Sequence, residues 1–259
     1  MTMRDKVVVV TGAGRGIGRE IALAFARGGA DLVLTSRTES ALVETKIMIE
    51  EIGQKGLVVT CDVSEPDSVQ SMAEQSLAHY GHVDVLVNNS GIGGPSAETW
   101  KIDPKDWVET FDINVKGTFL CCSAFLPSMI ERQAGNIVII GSMTGKRPLW
   151  GRSPYAASKL ALVGLARTLA LETGPYGIRV NVVSPGAVEG ERIQWVIQQQ
   201  AEGRGITPEE ARAELASGSP LNRLVPASDV AAAAIYLASD RSGSTTGEDL
   251  NVSAGLVGY

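Results

Sequence analysis

The sequence predicts an α/β protein, a single Rossmann-type domain in which a doubly wound parallel sheet carries helices on both faces. Three observations predict it. Short, almost unbroken apolar runs recur along the chain, longer segments with helical spacing separate them, and a glycine-rich turn joins the first run to the first helix. Continuous apolar strands are what a sheet covered on both faces requires. Strands alternating with helices imply right-handed crossovers between parallel neighbours.

The opening run, Val7–Thr11, is β-branched throughout, and Gly16–Arg27 has the apolar spacing of a helix. Further strand-like runs lie at 32–35, 57–61, 83–87 and 136–140, with longer segments such as 65–80 and 106–131 between them. No stretch of 1–259 reads as an interdomain linker or a repeat, so the expectation is one dinucleotide-binding domain. Residues 189–222 are polar and rich in Glu, Arg and Gln, and read as two helical pieces. Thr207 is a capping residue, Pro208 suits the first helical position, and Glu209 and Glu210 follow. Inserted between late sheet elements, 187–222 is either a substrate lid or a solvated helical decoration.

Composition narrows the function classes. Apolar residues make up 44% of the 259 residues and the net charge is −6. An acid excess argues against a nucleic-acid surface, which needs clustered Lys and Arg. Cys61, Cys121 and Cys122 have no regular spacing and only two histidines accompany them. That is neither a disulfide framework nor a metal set, and Cys121 and Cys122 read as small buried hydrophobes. The first residues run directly into a strand, so the expectation is a cytoplasmic protein with no membrane span.

The turn after the first strand reads Thr11-Gly12-Ala13-Gly14-Arg15-Gly16-Ile17-Gly18. Glycines let the backbone turn sharply and approach a pyrophosphate, while a helix N-terminus offers N–H groups and the positive end of its dipole. Placement between strand and helix is what makes such a turn a nucleotide site. NAD sites place an acid at the end of the second strand to hold the ribose hydroxyls. Here that strand ends in Ser36 and Arg37, with Arg15 in the neighbouring turn and Glu39 the closest acid beyond. Guanidinium groups bind a 2′-phosphate, so NADP(H) is expected over NAD(H).

Tyr155 and Lys159 stand four apart at the start of a predicted helix, on one face. An ammonium beside a phenol stabilises phenolate and lets tyrosine act as an acid–base near neutrality. Ser142 follows the run 137–140 and Gly141 at the carboxyl end of a strand, where open α/β sheets hold their ligands. Asn114 is a polar residue in a segment otherwise suited to burial, which fits a structural kink or a satisfied core amide.

With these pieces in order, the chain resembles the classical short-chain dehydrogenase/reductases over nearly its whole length. The matching residues are the TGAGRGIG turn, Asp62 and Val63 after Cys61, Asn88-Asn89-Ser90-Gly91, Asn114, Ser142, Tyr155 with Lys159, and Pro185-Gly186. The resemblance implies hydride transfer between a nicotinamide and a carbonyl or secondary-alcohol carbon of a small molecule. It implies Tyr155 as acid/base, Ser142 orienting the carbonyl, Lys159 gripping the nicotinamide ribose, and Asn114 holding a water in a proton relay. Asp62 and Val63 would contact adenine, Asn89 and Gly91 would line the cleft, and Pro185, Gly186 and Val188 would border the nicotinamide. The family also suggests a homotetramer.

Two departures stand out. Ser90 replaces the usual Ala, and Gly190 stands where the family often has a threonine near the carboxamide. For the substrate pocket the candidates are Met143, Trp150, Arg152, Glu189, Arg192 and Trp195, a set suited to an apolar body with an anionic end. The same arginines also suit a surface or subunit contact. The leading expectation is a carbonyl reductase or alcohol dehydrogenase. The alternatives are a 3-oxoacyl-thioester reductase of the acyl-carrier-protein type and, from another class, a non-catalytic NADP(H)-binding regulator.

Overall fold

The computed structural model describes residues 2–258, of which 192, 195, 199, 200 and 203 are described by backbone only. In chain order the elements are β1 Val7–Thr11, α1 Gly16–Arg27, β2 Asp31–Ser36, α2 Glu39–Glu51, β3 Gly56–Thr60, α3 Pro66–Tyr80 and β4 Val85–Asn88. Then come α4 Pro104–Phe111, a π-helical turn Asp112–Lys116, α5 Gly117–Arg132, β5 Gly135–Ile140, α6 Ser153–Thr173 and β6 Ile178–Pro185. Helices α7 Glu191–Arg204, α8 Pro208–Ser217 and α9 Ala227–Ala238 precede β7 Asp249–Val252. The strands form one parallel sheet in the order β3-β2-β1-β4-β5-β6-β7.

Alternation along each strand explains its unbroken apolar character. Val8 and Val10 of β1, with Leu32 and Leu34 of β2, face a core built with Ile21, Phe25 and Leu42 from α1 and α2 and Val230 and Leu237 from α9. Val7 and Val9 face the opposite core, with Met72 from α3, Phe125 and Met129 from α5 and Leu162 from α6. Both faces of a period-2 element are covered, so nearly every position is apolar. The sequence-read strands fall within two residues of the observed ends. The sequence reading gives no bounds for β6, and it misses strand β7, whose four residues DLNV alternate in polarity and are none of them buried.

The run 106–131 is one bent rod rather than a plain helix. The π-turn at Asp112–Lys116 inserts a wider turn between α4 and α5, and Asn114 sits in it. By length and apolar composition the continuous run Pro104–Arg132 could span a membrane, and 50% of its most apolar stretch is buried against the rest of the fold. Residues 189–222 form α7 and α8 as two pieces, with a capping box in which Thr207 and Glu210 bond each other's backbone N–H. Their apolar residues Ile197, Ala201 and Ala211 form a small cluster with Leu224, separate from the two sheet cores. Val188 and Val225 form a parallel bridge that closes the neck of this excursion.

Asp84 ties the amino-terminal edge of the sheet together. Its carboxylate accepts from Val7 N at 2.9 Å and from the Arg132 guanidinium at 2.9 Å, with His82 at 3.2 Å and Lys6 at 3.8 Å. Burial opposes its ionisation, but the Val7 and Arg132 bonds and the Lys6 charge, with His82 beside them, outweigh it and hold the carboxyl below its usual range. A depressed carboxylate contributes stability that is complete above its unfolded pKa of about 3.9 and is lost as pH falls through the lower folded value. Asp84→Asn is therefore expected to cost about 2 kcal/mol in urea unfolding at pH 7. The gap to the parent protein should close below about pH 4.

Candidate active site

In a parallel sheet all carboxyl ends lie along one edge, and the strand order here reverses between β1 and β4. That reversal opens a crevice where ligands of open α/β sheets bind. The glycine turn leaves β1 on one side of it and Asn89 leaves β4 on the other. Thr11, buried behind the turn, accepts the N–H groups of both Asn89 and Ser90 on its hydroxyl at 2.9 Å. Asn89 returns its amide to Thr11 O at 2.9 Å. These two residues thus hold the turn against β4.

The turn has the shape of an anion cradle. A Cβ on Gly18 would lie 2.1 Å from Gly12 O, and Gly16 takes φ +55, which favours glycine. Helix α1 begins at Arg15 without a side-chain cap and has no acid in its first turn, so its positive end faces the crevice uncompensated. The cradle fits a dinucleotide pyrophosphate. Arg19, which sequence reasoning missed, gathers carbonyl groups at the back of the turn. Its guanidinium donates to Gly14 O and its Nε to Thr45 Oγ1, whose hydroxyl donates to Ala13 O. With those oxygens drawn toward Arg19 and Thr45, the N–H groups define the front. Four residues beyond the turn's Arg15, on the inner side of α1, was the signal available.

At the outer end of the crevice, Ser36 lies beside Gly14 and its hydroxyl bonds Thr38. Arg15 is exposed and Arg37 largely so, with one guanidinium nitrogen 3.9 Å from Asp62. Asp62 accepts from Ser64 N at 3.0 Å and from the Ser64 hydroxyl at 2.7 Å. Burial raises its pKa, but the Ser64 bonds and the charges of Arg37 and Lys116 prevail, and the carboxyl stays below its ordinary value. Arg37, Asp62 and Ser64 line a cleft of about 500 Å³ with Val108, Glu109 and Ile113. Val63 is buried and packs on Gly117 of α5.

The four residues expected to work together converge from three segments. Ser142 leaves β5 and caps a short 3₁₀ turn, its Oγ accepting from Thr144 N at 3.1 Å. Tyr155 lies in the first turn of α6, and Lys159 one turn on is only 5% exposed. The Lys159 ammonium donates to Ile140 O at 2.7 Å and lies 5.8 Å from the Tyr155 ring centre. Asn114 is fully buried: its Oδ1 accepts from Ile92 N at 2.8 Å, and its Nδ2 donates to Ile92 O and to Ser158 Oγ, both at 3.0 Å. The side chain is both kink and satisfied core amide. Ser158, a second residue the sequence did not single out, passes the contact on by donating to Tyr155 O at 2.9 Å. Gly91 is bare because a Cβ there would come within 3.0 Å of Asn114 Oδ1.

On the substrate side the structure separates the candidates. Met143 is buried, Trp150 is 77% exposed, and Arg152 is half-buried with its guanidinium 5.2 Å from the Tyr155 ring centre. Glu189 is exposed and paired with Arg212 at 2.7 Å. The side chains of Arg192 and Trp195 lie outside the described residues. Pro185 ends β6 opposite Val252, and Gly186 N donates to Val252 O at 2.9 Å. Gly190 takes φ +142, a conformation that would strain the threonine expected by resemblance. The three cysteines are buried free thiols; burial pushes Cys122 up to about 12 and Cys121 well above its ordinary value, which keeps them inert.

This sheet order, glycine cradle and convergent serine, tyrosine and lysine define a dinucleotide-dependent oxidoreductase, and the chain belongs to the short-chain dehydrogenase/reductase family. Residues 12–257 match the family model described as enoyl-(acyl carrier protein) reductase. The 3-oxoacyl-[acyl-carrier-protein] reductase FabG of Escherichia coli K12 is 33% identical over 256 residues, covering 99% of each chain. A variant of actinorhodin polyketide ketoreductase, solved with NADPH, superposes with a TM-score of 0.94 at 34% identity over 100% of both chains. NAD+-bound xylitol dehydrogenase superposes equally well, at 0.94 and 28% identity over 98% of this chain and 100% of its own. The protein is an enzyme of carbonyl and alcohol oxidoreduction on a small molecule, with a nicotinamide dinucleotide as cofactor, and the regulator alternative is set aside.

Removing the Asn114 amide leaves the Ile92 backbone and the Ser158 hydroxyl without their buried partner. Asn114→Ala is expected to lower the melting temperature by roughly 5 °C, read by circular dichroism.

Proposed function

We propose that the protein is an NADP(H)-dependent reductase of ketones, or dehydrogenase of the matching secondary alcohols, with Tyr155 as its acid/base. The observation that carries this reading is Tyr155 in the first turn of α6 with the buried Lys159 ammonium 5.8 Å from its ring. When bound, the cofactor supplies or accepts hydride at its nicotinamide ring. The remaining work falls to the chain. Tyr155 delivers a proton to the carbonyl oxygen, and Lys159 favours the phenolate left behind. Ser142 Oγ receives the Thr144 N–H, which aims its own O–H at the same substrate oxygen. Asn114 and Ser158 fix the angle of the α6 turn through Tyr155 O. Lys159 also holds the ribose, and Pro185, Gly186 and Val188 border the nicotinamide. Residues 187–222 act as the substrate lid of a single domain.

The preference for NADP(H) rests on charge. Strand β2 ends in Ser36, followed by Arg37 and not by a carboxylate, and Arg15 adds a second exposed guanidinium. We read the enzyme as a cytoplasmic homo-oligomer, a tetramer by family resemblance. Exposed Val108, Phe119, Leu160 and Leu171 on α4, α5 and α6 support a subunit contact, and the burial of half of the apolar stretch in Pro104–Arg132 supports a core rod rather than a span. A second reading, 3-oxoacyl-thioester reduction, is favoured by full-length similarity to the Escherichia coli reductase. Turnover of acetoacetyl-CoA far above small ketones would select it.

Tyr155→Phe should bind NADPH as the parent does in fluorescence titration while turnover falls by a factor on the order of 10²–10⁴. Retained turnover would remove Tyr155 from the chemistry. Arg37→Ala should weaken NADPH binding on the order of tenfold and leave NADH nearly unchanged. Equal losses for both cofactors would place the 2′-phosphate elsewhere.

A further inference from the structure

We propose that Arg152 is a positioning residue for Tyr155, its guanidinium lying over the ring as a second cation that stabilises the ionised phenol and restrains the ring plane. The inference rests on the acid/base reading of Tyr155 and adds a residue to that site. The guanidinium carbon lies 5.2 Å from the ring centre, closer than the Lys159 ammonium at 5.8 Å. A planar guanidinium stacks on an aromatic face, and the attraction grows when the ring carries the extra electron density of a phenolate.

The backbone holds Arg152 in place for this role. It is the cap residue of α6, and its carbonyl accepts from Ala156 N at 2.8 Å. Gly151 before it takes φ +73 and its carbonyl receives Ala97 N at 3.0 Å, so the turn that presents the side chain is anchored on the opposite loop. The two charged groups that lie over the ring are both cations. The first turn of α6 contains no acid, and its positive dipole end adds to the two cations. The neighbouring segments bring Ser142 and Asn114, which do not titrate, and Lys146, which is engaged with Asp249 and Asn251 at 2.7 and 2.6 Å. Removing the Arg152 charge should therefore raise the pKa of Tyr155.

The test is an absorbance titration of tyrosinate on the full-length protein, parent against Arg152→Met and Arg152→Lys, with Tyr155→Phe identifying the Tyr155 component. Tyr80, pushed up to about 12 by burial and Asp31, titrates outside the window. The Tyr155 component should move up by about half a unit to one unit in Arg152→Met and return in Arg152→Lys. The Tyr155 limb of the kcat profile should move with it while NADPH affinity holds. Arg152→Gln serves if Arg152→Met does not fold. An unmoved titration, with KM raised for carboxylate-bearing ketones alone, would overturn the proposal and make Arg152 a substrate anchor. The titration needs no turnover, so it separates failure of this proposal from failure of the acid/base reading, which retained activity in Tyr155→Phe would signal.

Discussion

The reversal of strand order between β1 and β4 is the constraint on which the site depends. On one side of it the chain leaves β1 through the glycine cradle, and on the other it leaves β4 through Asn89. Nothing in a parallel sheet bonds these two exits to each other, so side chains must do it. The Thr11 hydroxyl, taking two backbone N–H groups from across the gap, is that link. Arg19 and Thr45 complete the cradle from behind by drawing its carbonyl groups away from the crevice. An anion site built from neutral backbone needs such a scaffold, because the N–H groups attract a phosphate only when the opposing oxygens point elsewhere.

The catalytic side is organised around a second buried connection, the Asn114 amide. It spans the loop after β4, the π-turn and α6 with three hydrogen bonds. The π-turn is what brings Asn114 into reach, since the wider turn shifts the helical face between α4 and α5. Lys159 is buried one turn beyond Tyr155, with Ile140 O as an acceptor. A buried ammonium is costly unless it is bonded, and the Ile140 carbonyl at the strand end supplies such a bond.

Local pattern carried much of this into the sequence. The strands were legible because both their faces are covered, the cradle because a turn with four glycines joins a strand to a helix, and Tyr155 with Lys159 because a helix places i and i+4 together. Three things were not legible. Strand β7 lies at the sheet edge, half-exposed, and lacks the apolar signature of the central strands. The roles of Arg19 and Ser158 depend on partners distant in the chain, Thr45 and Asn114, that periodicity does not reveal. Arg152 was read by its charge as a substrate contact, and only the turn at Gly151 sets it over the Tyr155 ring.

The excursion between β6 and α9 has a different standing from the rest of the chain. Its neck is closed by backbone bonds from Val225 N to Ala187 O and from Glu189 N to Val225 O, and its helices bury apolar residues largely among themselves. Beyond that neck the excursion is tied once more to the chain after β7, where Leu221 N donates to Ala254 O at 3.2 Å. The fold thus carries a small helical unit on a narrow neck beside the sheet. Its small core of Ile197, Ala201, Ala211 and Leu224 is built apart from either of the sheet cores that frame the crevice.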